Sequence, residues 1–253
     1  MFRRTIYITV IALFSLTCIS CAVNQASNKK KATAFENLGM AFVREGNLRA
    51  GLARLLEAVK LDPENPDLHH NVAMVYRNLG EYKLAFLHFK KALALKKRFP
   101  EAQNNLGTLY LLLRDWDHAI ECFQKSVDDV LYKTPHIAYN NLGLAYYNKG
   151  EYQKAIDRYR HAIKLFSSYS RCYRNLGLAY DALDKWDLAI DAYEKAIFFA
   201  PEYAAAHLSL GTLYLKLYQN KKAVEALRQT IKTDKKAGPY AEEARRLLKK
   251  IER

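Results

Sequence analysis

The run Asn141-Leu142-Gly143-Leu144-Ala145-Tyr146 returns 34 residues later as Asn175-Leu176-Gly177-Leu178-Ala179-Tyr180, and this recurrence decides the fold. Working outward, the small residue recurs as Gly39, Ala73, Gly107, Gly143, Gly177 and Gly211, at intervals of 34, 34, 36, 34 and 34 residues. Three positions after each stands Phe42, Tyr76, Tyr110, Tyr146, Tyr180 or Tyr214. Twelve after it comes Gly51, Ala85, Ala119, Ala155, Ala189 or Ala223. Four further on is Leu55, Phe89, Phe123, Tyr159, Tyr193 or Leu227, and then Ala58, Ala92, Ser126, Ala162, Ala196 or Thr230. Self-similarity at such a period marks a stack of one repeated unit. Half of the chain is hydrophobic, yet it holds only 10 Gly and 6 Pro, which favours helices over sheets. The unit is therefore a helical hairpin and the fold all-α. Small residues mark where the two backbones approach closely, and aromatic residues fill the space between hairpins. Gly46, Gly80 and Gly150 fall at the turn between helices, where a left-handed conformation is needed. A lone hairpin cannot bury its apolar face, so stacking is obligatory.

These residues resemble the tetratricopeptide repeat (TPR) family over residues 32–237. The resemblance implies a right-handed superhelix of six helix-turn-helix repeats, at 32–65, 66–99, 100–133, 136–169, 170–203 and 204–237. Residues 238–253 are expected as a capping helix, with Tyr240, Ala244, Leu247, Leu248 and Ile251 on its packed face. The one interval of 36 puts two extra residues near Asp128–Pro135, expected as a lengthened surface loop.

The first 20 residues belong to a different object. Arg3 and Arg4 precede an uncharged run from Thr5 to Ser20, too short for a stable span and suited to a secretory signal. The stretch Cys18-Ile19-Ser20-Cys21 resembles a bacterial lipobox, which implies a diacylglycerol on Cys21 as the new chain start. A plain cleaved signal, or processing at Cys18, is the alternative. Residues 21–31 then read as a lipidated, flexible tether ending in Lys29-Lys30-Lys31. Losing Arg3 and Arg4 and no acid takes the net charge from +14 to +12. For an exported chain, that excess points to anionic lipid or acidic proteins and away from nucleic acid. Beyond the covalent lipid on Cys21, no cofactor is expected. Cys122 and Cys172 occupy unrelated repeat positions and read as buried fillers.

The first helix of each repeat is expected to line a concave groove. Its sixth position is Asn37, Asn71, Asn105, Asn141 and Asn175, then Ser209. An amide offers a donor and an acceptor, so such a column can hold a peptide backbone whatever its side chains. Beside it run Met40, Met74, Leu144, Leu178 and Tyr147, an apolar row suited to a covering partner. Arg77, Arg171 and Arg174 add positive points without a regular carboxylate clamp. The candidate peptide-binding residues are thus Asn37, Asn71, Asn105, Asn141, Asn175, Met74, Leu144, Tyr147 and Arg174. The seven histidines make no metal spacing, and there is no phosphate loop or nucleophile elbow, so no enzyme is expected. Trp116 and Trp186 read as core.

A lipobox, a short tether and six such units also resemble the outer-membrane pilotin lipoproteins of type IV pilus assembly. Ser126-Val127-Asp128-Asp129-Val130-Leu131-Tyr132, followed by Asn141-Leu142-Gly143-Leu144, is similar to that family's junction between its third and fourth repeats. This resemblance implies a chaperone-like adaptor for the secretin pore subunit or another pilus-assembly component. It would be anchored in the inner leaflet of the outer membrane, facing the periplasm. The rivals are another envelope adaptor, scaffolding proteases or cell-wall enzymes, and a basic binder of anionic surfaces.

Overall fold

The 6 prolines fall at helix starts or between helices and glycine is scarce, which leaves little to interrupt a helix. The computed structural model is built of helices alone among the residues it describes, 25–234 and 238–251. The targeting segment and Cys21 lie outside those residues. In chain order the helices are α1 (25–44), α2 (Leu48–Leu61), α3 (Pro66–Asn78), α4 (Tyr82–Leu95), α5 (Pro100–Leu112), α6 (Trp116–Val127) and α7 (Pro135–Asn148). They continue as α8 (Tyr152–Leu165), α9 (Ser170–Asp181), α10 (Trp186–Phe199), α11 (Ala204–Lys216), α12 (Asn220–Thr233) and α13 (Pro239–Ile251). The chain divides into two units, Met1–Leu109 and Tyr110–Arg253, the division falling inside α5.

Each unit is a row of helical hairpins whose small positions do what their spacing implies. In the second unit a methyl added to Gly143 would meet the Tyr159 ring at 2.6 Å, and one added to Gly177 would meet the Tyr193 ring at 2.5 Å. Those rings lie flat on glycine within their own hairpin, rather than only between hairpins. In the first unit the same place is taken by Leu55 against Gly39, at 2.9 Å from the added methyl. Ala155, Tyr159, Ala189 and Tyr193 are all buried in one continuous core with Leu213 and Ala223.

The left-handed turn recurs with the period too. Gly46, Gly80 and Gly150 have φ of 83°, 81° and 84°, and Arg114, Asp184 and Tyr218 occupy the equivalent turns at 59°, 55° and 57°. Three non-glycine residues thus adopt a conformation that favours glycine.

Several expectations need correction. The polar start is not a flexible tether as far as Lys31, because α1 is already helical at residue 25. No Gly or Pro interrupts 25–38, and Ala32, buried beside Ala58 and Leu68, draws this segment into the first hairpin. Trp186 is exposed rather than core, its indole donating to Asp184 Oδ1 at 3.2 Å with the Lys216 ammonium 5.7 Å over the ring. In α13 the buried side chains are Ala241 and Ala244, while Tyr240 faces water. The lengthened junction, by contrast, is an irregular surface loop between α6 and α7, in which the Asp129 carboxylate accepts from the Leu131 N–H at 2.9 Å. That loop buries Tyr132 and leaves Val130 and Leu131 exposed. Cys122 and Cys172 are buried free thiols, and burial pushes the Cys172 thiol far above its usual range.

Candidate protein-binding face

Position six of the first helix carries a carboxamide, and the structure shows what that group holds. In the first unit Asn71 Nδ2 on α3 donates to Glu36 Oε1 on α1 at 2.9 Å. One repeat on, Asn105 Nδ2 on α5 donates to His70 Nε2 at 2.9 Å, and Asn105 Oδ1 accepts from Arg77 at 3.3 Å. In the second unit Asn175 Nδ2 on α9 donates to Asn140 Oδ1 on α7 at 3.0 Å. Arg174 Nε donates to Ser209 Oγ and to the Ala205 carbonyl on α11, both at 3.1 Å. Four of these cross-helix links, Asn71–Glu36, Asn105–His70, Asn175–Asn140 and Ser209–Arg174, join residues 35 apart, position six of one repeat to position five of the one before. Within each unit they form a ladder that fixes first helices against their predecessors.

The candidate residues therefore divide. Asn175 is buried, and its amide is spent on the ladder. Asn71 and Asn105 are half-buried, each with an amide N–H committed to a neighbouring helix. Asn141 is half-buried and accepts from Asn140 Nδ2 at 3.4 Å, while Asn37 is exposed. Arg174 serves the ladder. Met74, Leu144 and Tyr147 are half-buried beside it, Tyr147 packing on the second unit's core and against the Tyr152 ring. Position five (Glu36, His70, Asn140, Arg174) could not be read from the sequence as a column, because its residue type changes from repeat to repeat. Of its members only Arg174 was foreseen, as a ligand contact rather than a rung.

Burial sets the electrostatics of the first unit's rungs. Desolvation and the nearby Asp67 push the Glu36 carboxyl up, partly offset by the Asn71 amide. Desolvation lowers the Arg77 guanidinium and holds His70 down at about 4. His70 accepts from Asn105 through Nε2, so its own proton must sit on Nδ1. Its neighbour His69 is the reverse. His69 Nε2 faces the Pro63 carbonyl at 2.9 Å, which only an N–H can satisfy, leaving Nδ1 to accept from His88 Nδ1 at 3.0 Å. Desolvation, with His69 adding to it, holds His88 at about 4 as well. His207 repeats the His69 device in the second unit, its Nε2 2.8 Å from the Pro201 carbonyl. All four histidines named in these bonds are thus structural. Among the described residues no group of three or more His, Cys, Asp or Glu could hold a metal ion, and no helix is long and apolar enough to cross a membrane.

A second concavity went unforeseen. It lies among α10, α11 and α12, encloses about 590 Å³, and has Ile197, Phe198 and Leu210 beside Glu194 and Glu225. Phe198 follows two residues after the small Ala196 and stays largely in solvent.

Profiles of the tetratricopeptide repeat match residues 66–129, 98–168 and 134–197, and a second such profile matches 174–242. The chain belongs to the tetratricopeptide repeat family. Members of this family are scaffolds that bind proteins and are generally not catalysts. Among curated relatives, the type IV pilus assembly protein PilF of Pseudomonas aeruginosa is 26% identical over 148 residues, 55% of this chain and 59% of PilF. The lipoprotein NlpI homolog of Haemophilus influenzae is 28% identical over 154 residues, 58% of this chain and 48% of that protein. The tetratricopeptide chain thus spans less than two thirds of the length of these relatives. Two solved structures share the fold, each at 21% identity. PilW, a widely conserved type IV pilus biogenesis factor, superposes with a TM-score of 0.77 over 84% of this chain and 97% of its own. The structure of Pseudomonas aeruginosa PilF gives 0.72 over 85% and 97%.

Proposed function

We propose that this chain is a lipid-anchored, non-enzymatic scaffold of the cell envelope, acting as a pilotin that helps the type IV pilus secretin reach and assemble in the outer membrane. The observation that carries this reading is the similarity to PilF over 148 residues. The lipobox-like run ending at Cys21 supports the anchor. The partner segment is apolar or amphipathic and lies against Met74 or against Leu144 and Tyr147. The polar ladder holds the helices that present those side chains.

The test is made in cells. Cys21→Ala should release the protein from the membrane fraction or leave an uncut precursor, and should lower the amount of assembled secretin multimer. Tyr147→Ala should leave the anchor intact and lower stability through its contact with the core and Tyr152. In protein shown by circular dichroism to be folded, it should weaken capture of the secretin subunit about tenfold, through lost apolar contact. Normal multimers in a strain lacking the protein altogether would end the pilotin reading. A second reading has its own support in the NlpI homolog: a lipoprotein adaptor for other envelope proteins. Loss of envelope protease or cell-wall enzyme complexes in that same strain, with secretin unaffected, would select it.

A further inference from the structure

From Tyr82 to Arg98 the chain carries six lysine or arginine residues and no acid, and most of this stretch is α4. The helix buries Ala85, Phe89 and Ala92 on one side. At about 100° per residue, Lys83, Leu87, Lys90 and Ala94 fall within an arc of about 60° on the opposite side. Leu87 is 62% exposed and its neighbour Leu84 39%. Neither leucine contributes to the core of its unit. Two of the lysines are tied to acids, Lys91 to Glu64 at 3.0 Å and Lys96 to Asp67 at 3.7 Å. No carboxylate among the described residues pairs with Lys83, Lys90 or Lys97. The result is a helix surface on which exposed Leu84 and Leu87 lie beside Lys83 and Lys90, with Lys97 in the segment just after the helix.

In water such a face exposes apolar area for no return. Against a lipid surface the same arrangement is favourable: leucine enters the boundary between headgroups and acyl chains, and lysine stems reach past it to phosphates. The single sign of charge along the whole face fits a laterally uniform anion better than a protein, which would place acids opposite particular lysines. We propose that the outward face of α4, with the Lys97 that follows the helix, docks on an anionic phospholipid surface, with Leu84 and Leu87 inserted and Lys83, Lys90 and Lys97 on the phosphates. This contact is separate from the acyl chains expected on Cys21 and does not depend on them.

Flotation with vesicles tests it, using the unacylated chain from Ala22 onward, which retains every described residue. Vesicles of three parts phosphatidylcholine to one part phosphatidylglycerol should carry the chain; pure phosphatidylcholine should not, and high salt should release it. Lys83→Gln, Lys90→Gln and Lys97→Gln together should lower partitioning about a hundredfold, at about fivefold per lysine. Leu87→Gln should lower it about tenfold with circular dichroism unchanged. Three outcomes overturn the proposal: no flotation on the anionic vesicles, flotation that survives both α4 variants, or flotation lost only when Lys29–Lys31 are changed. Retention on immobilised polyglutamate without flotation also overturns it, and assigns the face to an acidic protein.

Discussion

Tyr218 adopts φ of 57° at the turn between α11 and α12 and is 91% exposed. It thus bears the strain of a left-handed residue with almost no packing in return. Tyr218→Gly should raise stability by about 0.5–1 kcal/mol, the relief of strain outweighing glycine's larger loss of freedom on folding. Gly80→Ala should lower stability by about 1 kcal/mol purely through the backbone, because nothing lies within 4 Å of the added methyl. Gly177→Ala is a different case, since its methyl meets the Tyr193 ring at 2.5 Å. There the cost should reach about 1–3 kcal/mol by overpacking. Urea midpoints of the three variants check the order, and a Gly177→Ala protein as stable as wild type would show that the ring yields freely.

At the scale of the helix, the ladder makes Asn175 a brace. Asn175→Ala leaves the buried Asn140 carbonyl without its donor and should cost about 1–3 kcal/mol, whereas Tyr147→Ala should weaken partner capture even in protein that is folded. If Asn175→Ala instead left stability untouched and abolished binding, the buried rung would have to open for the ligand. The period, the hairpins and the close glycines were legible in the sequence because each obeys one spacing and one size rule. The ladder was not. A carboxamide at position six reads the same whether it faces a ligand or the neighbouring helix, and only the distance to Glu36, His70 or Asn140 tells them apart. Trp186 was misjudged for a related reason: a recurring position sets the side of the helix, but Trp186 lies in its first turn, where the indole reaches back to Asp184.

For the molecule as a whole, the first unit's histidines tie stability to acidity. His70 and His88 are held at about 4 in the folded chain against about 6.5 when exposed. Above pH 6.5 both forms are neutral and nothing is lost. As pH falls from 6.5 towards 4 the unfolded chain takes up protons that the folded chain refuses, so stability declines through that window. If its whole shift is expressed, His70 alone accounts for about 3 kcal/mol. Melting curves between pH 7 and pH 4.5 should show the decline, and His70→Gln should flatten it. A melting temperature constant over that range would mean that the rings are open to water.

The bonds around His69 and His70 also leave a spectroscopic signature. Two imidazoles adjacent in the chain are locked in opposite tautomers, His69 protonated on Nε2 and His70 on Nδ1, with His88 following His70. In fast exchange an exposed histidine averages its two forms, but these three should each show one pyrrole-like and one pyridine-like nitrogen in long-range ¹⁵N–¹H correlation spectra. The pattern in His69 should be the mirror of that in the other two. Since the His70 pattern persists only while Asn105 is seated against it, the resonance reports directly, ring by ring, on whether two successive repeats are docked.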